Sequence, residues 1–176
     1  MKTIEAILTR RSVREWLDKR IPKKKLIQIL EAGRFAPSPL NSQPWHFIVI
    51  RNKKTFDRLV IRSKHAKFLS QADTLIVVTV DIKAKVDEWL AEHDQHTYSG
   101  VCAMQNMWLA AWDLGLGCCW VSLDDRSTKR ILAIGKEQRI LGGLAIGYPK
   151  NAALQQSKNN RKPLRDIVLY EEEQRI

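Results

Sequence analysis

The segment from Thr74 to Val80, TLIVVTV, is the feature that most constrains how this chain can fold. Strands with one face in water alternate apolar and polar residues, whereas a nearly continuous apolar run is typical of a strand buried on both faces. The segment therefore predicts a central strand that other elements cover on both sides. The run HFIVI from His46 to Ile50 is also rich in β-formers and predicts a second central strand.

Helical and strand-like segments alternate along the rest of the chain. The spacing of apolar residues, together with capping residues and glycine or proline stops, sets their approximate bounds. The predicted helices are 3–11, with Thr3 as its cap, 22–33, 53–70, 95–114 and 124–134. Further strands are predicted at 117–122 and 141–147, with a short β-like segment at 167–170. In the long helix, core or dimer contacts are expected from Met104, Met107, Trp108 and Trp112.

Length and cysteine content narrow the class of protein. A chain of 176 residues, 44% of them hydrophobic, can bury one cooperative core, so a single domain over 1–176 is expected. No apolar stretch approaches the roughly 20 residues that cross a bilayer, and MKTIEAILTRRS at the start lacks the pattern of a secretory signal. Cys102, Cys118 and Cys119 match neither a disulfide framework nor a zinc site. We therefore expect a cytoplasmic protein with no membrane partner and with small, buried thiols.

The positive charge is confined to the N-terminal part of the chain. Residues 1–70 contain 17 Lys and Arg against 5 Asp and Glu, whereas residues 71–176 contain 13 against 14. Such a basic segment can attract the phosphate of a nucleotide cofactor, nucleic acid or anionic lipid, or it can be solubilising surface. Composition does not choose among these four roles.

Arg10, Arg11, Ser12 and Arg14 place three guanidinium groups and a hydroxyl within five residues. Guanidinium groups donate paired hydrogen bonds to phosphate, and a hydroxyl can satisfy a further oxygen. The cluster is therefore either a phosphate site or a solvated helix end, and these residues alone leave both interpretations open.

The loop 36–45, APSPLNSQPW, is a second candidate because three prolines restrict its backbone. Ser38, Asn41, Ser42 and Gln43 supply hydroxyl and amide groups that could recognise the edge of a polar heterocycle. The loop is either a ligand clamp or a rigid structural turn.

These two motifs, with LGLGCCWVS at 114–122 and NRKPLRDIV at 160–168, resemble the FMN-dependent nitroreductase family. The four motifs occur in the family's order and span nearly the whole chain. The resemblance implies the α+β class and a nitroreductase-like three-layer fold, in which a central, mostly antiparallel sheet is flanked by helices. It also implies an intertwined homodimer with FMN in clefts between subunits, the C-terminal segment 155–176 extending onto the partner subunit.

The resemblance further implies which residues contact the flavin. Those for the phosphate and ribityl chain are Arg10, Arg11, Ser12, Arg14 and Arg161. Those from the other subunit are Pro37, Ser38, Pro39 and Asn41, with Gln43 supporting the loop. Those along the isoalloxazine ring are Trp120, Val121, Ser122 and Leu123, with N–H groups near the last two facing flavin N5 and O4.

The chain departs from the family pattern in three places. Asn159 stands where many relatives have a second basic residue for the phosphate. The donor near flavin O2 is left unassigned among Lys64, His65 and Lys67. The segment 83–95, where family members often insert helices over the substrate, is short here, so an open and permissive cleft is expected.

The implied activity is that of an FMN-dependent NAD(P)H oxidoreductase. Hydride would pass from NADH or NADPH through flavin N5 to an electrophilic acceptor such as a nitroaromatic or quinone, with no catalytic side chain required. The acceptor, the preferred nicotinamide and the number of electrons per step stay open. The alternatives are a non-catalytic flavin-binding protein and a nucleic-acid binder, the latter disfavoured because no groove-reading motif is present. No metal is expected, because His93 and His96 lack a third ligand.

Overall fold

The computed structural model describes residues 2–61, 67–82, 88–151 and 161–171. The helices are α1 (Thr3–Thr9), α2 (Lys23–Arg34), α3 (Lys53–Val60), α4 (Glu88–Glu92), α5 (Gln95–Asp113) and α6 (Asp125–Leu132). The strands are β1 (Trp45–Ile50), β2 (Thr74–Asp81), β3 (Gly117–Val121) and β4 (Gln138–Gly147). Short 3-10 turns occupy Pro39–Asn41, Lys67–Gln71 and Leu164–Asp166.

The four strands form one sheet in the order β1-β2-β4-β3, and all three ladders are antiparallel. Every residue of β2 from Thr74 to Val80 is buried, which confirms the predicted central strand. The second predicted central strand is wrong in position, because β1 lies at the edge of the described sheet and exposes His46 and Val49. Its β-rich composition therefore reflects an edge strand with one covered face.

Helices cover both faces of the sheet. Leu75 and Val77 of β2 pack in one apolar cluster and Ile76 and Val78 in the other, as the alternation of a strand requires. The first cluster includes α3, and the second joins α2 to α5. The α+β class and the three-layer arrangement predicted from the sequence are thus confirmed.

Several predicted bounds are corrected by the structure. Thr3 is the first residue of α1 and caps nothing, since Lys2 occupies the cap position without a side-chain hydrogen bond. The helix predicted at 53–70 ends at Val60, and a 3-10 turn follows at Lys67–Gln71. The β-like segment 167–170 joins no strand ladder among the described residues.

The chain that follows α1 runs along the outer edge of β3. Ser12 forms a parallel bridge with Cys118, and the Val13 N–H donates to the Cys118 carbonyl at 2.9 Å. The Trp16 indole N–H donates to the Gly117 carbonyl, also at 2.9 Å. Because Gly117 has no side chain, Val13 can lie directly against the strand. The edge of β3 therefore fixes the position of the basic cluster.

Replacing Gly117 with alanine should destabilise this edge, because the new Cβ would lie 2.7 Å from the Val13 Cβ. We expect a loss of about 2 kcal/mol in the free energy of unfolding, which corresponds to a melting temperature lower by about 6 °C. Circular dichroism during heating measures the change. Gly135→Ala is the matched control, because a Cβ there meets no atom within 4 Å; equal melting temperatures for the two variants would contradict the close contact.

Candidate functional site

Arg10 lies at the centre of a cationic cluster at the end of α1. Its backbone N–H donates to the Ala6 carbonyl, and its guanidinium lies over the Trp108 ring, with Cζ 4.4 Å from the ring centroid. Burial, the charge of Arg161 and the charge of Arg11 all lower the pKa of Arg10. Residues from the start and the end of the chain, both predicted to contact phosphate, therefore lie close together.

The other predicted phosphate residues differ in what they contact. Nη1 of Arg11 donates to the carbonyl oxygens of Leu8, Thr9 and Arg10 at 3.1, 2.8 and 3.0 Å. This guanidinium therefore caps the C-terminal end of α1, where a cation is favourable. Ser12 is exposed beside β3, and the Arg14 guanidinium lies near enough to the Cys119 thiol to oppose the rise in its pKa.

The two adjacent thiols do not neutralise this positive charge. Burial raises the pKa of Cys118 and of Cys119 and outweighs the opposing effects of Arg10 and Arg14. Both thiols are therefore neutral at physiological pH. In the described part of the chain, no carboxylate forms an ion pair with Arg10, Arg14 or Arg161. The arrangement is suited to an external anion.

The residues predicted to line a flavin ring follow directly on the same strand. Trp120 is half-buried and Val121 is buried, while Ser122 is exposed and Leu123 half-buried. The last two lie between the final ladder pair of β3 and the N-terminus of α6, where the Asp124 carboxylate accepts from the Ser127 N–H. Ser122 is three residues beyond Cys119, about 10 Å along an extended chain. The end of β3 thus presents a polar backbone segment within a mononucleotide's length of the cationic cluster.

The loop between α2 and β1 has an unusual backbone. Leu40, Asn41 and Gln43 have φ values of 50°, 53° and 47°, in the left-handed region that non-glycine residues rarely adopt. The Ser38 hydroxyl accepts from the Gln43 N–H at 3.0 Å, and the Gln43 amide donates to the Asn41 carbonyl at 3.3 Å. These bonds hold the loop in a strained shape, and the role of Gln43 in supporting a flavin-binding loop stays a prediction.

Within one chain, this loop is separate from the cationic cluster. Pro37, Ser38 and Pro39 line a cavity of about 210 Å³ with the first turns of α5, including Tyr98. Trp108, which contacts Arg10, follows Tyr98 by ten residues, or about 15 Å of helix. The loop and the cluster thus contact different parts of α5, and the part that this loop plays in a ligand site stays a prediction.

The remaining candidate residues from the sequence have less structural support as parts of a binding site. Lys67 is exposed, whereas Lys64, His65 and Asn159 lie outside the described residues. His93 stacks on Trp89 with ring centroids 4.1 Å apart. No group of three potential metal ligands occurs within the described ranges. The described helices include none that is both long and apolar enough to cross a membrane.

Comparison with known proteins agrees with this geometry. The family model described as "Nitroreductase family" matches residues 7–61 and 60–148, most of the chain. The chain belongs to the nitroreductase family.

Named relatives of this nitroreductase-family chain extend the comparison. A Methanothermobacter thermautotrophicus protein named "Putative NADH dehydrogenase/NAD(P)H nitroreductase" is 31% identical to this chain. The match covers 85% of this chain and 78% of the relative. A Thermus thermophilus "NADH dehydrogenase" is 27% identical, covering 94% of each. The crystal structure of a Desulfovibrio desulfuricans "putative nitroreductase in complex with FMN" superposes with a TM-score of 0.84 at 29% identity, covering 98% of each chain. These likenesses confirm the family and fold that the four sequence motifs indicated.

Sequence reasoning missed three residues that shape this family member's site. Trp108 was expected only as a core or dimer contact, yet its ring lies under Arg10. Phe68 lies under Arg14, with the guanidinium carbon 5.8 Å from the ring centroid. Gly142 has φ +128°, and a Cβ there would lie 2.8 Å from Nε1 of Trp120. A glycine in a strand can signal such a close approach, but nothing in the sequence pairs the aromatic residues with the arginines.

The protonation of the thiols can be tested by chemical labelling. Because burial raises the pKa of Cys118 and Cys119, a disulfide reagent at pH 8.5 should label one of the three free cysteines in the native protein. We expect that thiol to be Cys102, which lines the loop cavity, and all three to react after denaturation. The absorbance of the released thiolate measures the count. Cys102→Ala should abolish native labelling, and rapid reaction of two or more thiols would contradict the neutral pair.

Proposed function

We propose that this nitroreductase-family protein is an FMN-dependent oxidoreductase that uses NADH or NADPH to reduce a small electrophilic acceptor, such as a nitroaromatic or quinone. The observation that carries the proposal is the convergence of Arg10 and Arg161 beside β3 without a described carboxylate partner. The names of the relatives include NADH and NAD(P)H, and the Desulfovibrio desulfuricans neighbour contains FMN. Both support a flavin with a nicotinamide donor.

The cationic cluster fits the phosphate of FMN. Arg10 is partly withdrawn from water and is repelled by Arg161 and Arg11. A dianion bound between these arginines would offset both the lost hydration and the repulsion. Arg14, held beside the Cys119 sulfur, adds a fourth guanidinium to the same edge of β3. In this proposal Arg11 acts mainly through its charge, since its Nη1 is bonded to backbone carbonyls.

The end of β3 fits the ring. FMN, when bound, supplies the hydride chemistry at N5 between the nicotinamide and the acceptor. Backbone N–H groups at Ser122 and Leu123 would donate to the N5 and O4 edge, while Trp120 and Val121 would lie along the ring. Gly142 leaves room for the Trp120 indole against the neighbouring strand and so would fix its orientation. The chain's contribution is to bind and orient the flavin, which requires no acid or base among these residues.

We also propose that the site is completed by a second copy of the chain. The described residues leave many large apolar side chains in water: Ile4, Ile7, Leu8, Ile27, Phe35, Leu40, Tyr98, Ile167, Leu169 and Tyr170. Exposed apolar surface of this extent is typical of an interface. In a homodimer, the loop with Pro37, Ser38, Pro39 and Asn41 would reach the partner's flavin, and the segment 155–176 would extend over the partner. Within one chain, the loop lies beside Tyr98 and Arg10 lies beside Trp108, two positions about 15 Å apart along α5.

The cofactor prediction can be tested on the purified protein. We expect a yellow protein with a flavin absorbance spectrum that bleaches when NADH or NADPH is added without oxygen, because hydride reduces the isoalloxazine ring. Stopped-flow absorbance with each nicotinamide gives the donor preference. Flavin that neither nicotinamide reduces would favour a flavin-storing or sensing protein. A colourless protein that takes up no FMN and binds heparin would favour the nucleic-acid binder.

The phosphate prediction can be tested by charge removal. Arg10→Ala and Arg14→Ala should each weaken FMN binding at least about tenfold, because each removes a charged donor from the phosphate. Lys23→Ala and Lys24→Ala are matched controls, since they remove exposed positive charges from the first turn of α2. Quenching of flavin fluorescence during titration measures the four affinities. Similar losses in all four variants would mean that general positive charge, and not this cluster, binds the cofactor.

A further inference from the structure

Trp108 combines two properties that a simple core residue does not need. It is 8% exposed and packs in the apolar cluster that joins α2 to α5. It also presents the face of its indole to a charged side chain, the Arg10 guanidinium at 4.4 Å. Trp112, one turn later in α5, instead donates its indole N–H to the Thr9 hydroxyl at 3.0 Å. The contact with Arg10 is therefore specific to one of the two neighbouring tryptophans.

A contact through the face of the guanidinium leaves its hydrogen bonds available. The five N–H donors of an arginine lie in the plane of the group, so an aromatic ring above that plane consumes none of them. A carboxylate partner would hold Arg10 equally well but would occupy the donors that an anion needs. The contact with the Trp108 ring thus holds the guanidinium without a carboxylate that would occupy its donors.

The charges around Arg10 make such a support necessary. Arg161 and Arg11 both act on Arg10 with like charge. Before an anion is bound, this repulsion would favour other rotamers that carry Arg10 into water. Attraction between a cation and an indole face is worth most where water is partly excluded, as it is here. Trp108 can therefore hold Arg10 in place in the free protein.

We propose that Trp108 is a positioning residue for the flavin phosphate, acting through its contact with Arg10; this inference rests on the proposed function. Because Trp108 holds Arg10 in place before the phosphate binds, less side-chain conformational entropy is lost on binding. Its effect should be largest at the phosphate end of the cofactor, because the charged group that its ring contacts is Arg10.

Comparison of FMN with riboflavin, which lacks the phosphate, isolates this effect. The variants are Trp108→Leu, which removes the aromatic face, and Trp108→Phe, which retains one. Among the described residues, none accepts a hydrogen bond from Nε1 of Trp108, so the phenylalanine variant breaks no hydrogen bond within that part of the chain. Phe56→Leu is the control for loss of a buried aromatic residue, because Phe56 lies in the cluster on the other side of the sheet.

Flavin fluorescence titrations of the full-length apoprotein give both dissociation constants, and their ratio reports the preference for the phosphate. We expect Trp108→Leu to lower that preference about tenfold while leaving the riboflavin affinity unchanged. Trp108→Phe should keep a preference for FMN within about threefold of the wild-type value. Phe56→Leu should keep the wild-type preference. In an Arg10→Ala background, Trp108→Leu should have no further effect, because the two residues act as one unit.

Equal weakening of FMN and riboflavin by Trp108→Leu, or no weakening of either, would overturn the inference. Should the leucine variant fail to fold, Trp108→Met fills more of the space without an aromatic face and should give the same loss of preference. If the wild-type protein prefers FMN and the Trp108 variants keep that preference, only the role of Trp108 is refuted. A wild-type protein that binds neither flavin, or both equally, removes the proposed phosphate site and this inference with it.

Discussion

The contact between the segment after α1 and the outer edge of β3 is the constraint on which the site depends. The hydrogen bond from Val13 to Cys118 and the packing of Val13 on Gly117 place the neighbouring arginines along one strand. That strand ends at Val121, directly before Ser122, so one rigid element carries the cluster and leads into the polar backbone segment. Sites held by strands are more precise than sites held by loops. The fold thus sets the distance between the cationic cluster and the polar backbone beyond β3.

Burial decides the charge of that cluster. The Cys118 and Cys119 thiols lie beside arginines, an environment that lowers a thiol pKa when water is present. Here the loss of hydration is the larger effect and raises both pKa values. The same loss of hydration acts on Arg10 and lowers its pKa, yet an arginine remains charged at any physiological pH. The result is a concentration of positive charge that the adjacent thiols do not balance.

The fold was largely predictable because its strongest signals are local. The apolar run of β2 and the periodic helix α5 can be predicted from strand and helix spacing alone. The edge position of β1 depends on which strands pair, and composition does not show pairing. In the site, the family resemblance carried by the four motifs predicted the approach of Arg161 to Arg10. The roles of Trp108 and Gly142 could not be predicted, because they arise from contacts between residues distant in sequence. Backbone capping by Arg11 agrees with the helix-end interpretation, which the sequence could not separate from a phosphate site because both use the same residue type.

Helix α5 connects the two halves of the proposed site. Its first turns support the proline-containing loop, and Trp108 supports Arg10 about 15 Å further along. Within one chain, the loop and the cluster contact different turns of this helix, and in the proposed dimer they would serve different cofactors. Two chains related by a twofold axis would each supply one cluster and one loop, giving two equivalent sites. The large exposed apolar side chains at both chain ends, from Ile4 to Tyr170, provide the surface that such an arrangement would bury. In this arrangement the strained loop is ordered before it meets the flavin, so little of its conformational entropy is lost on binding.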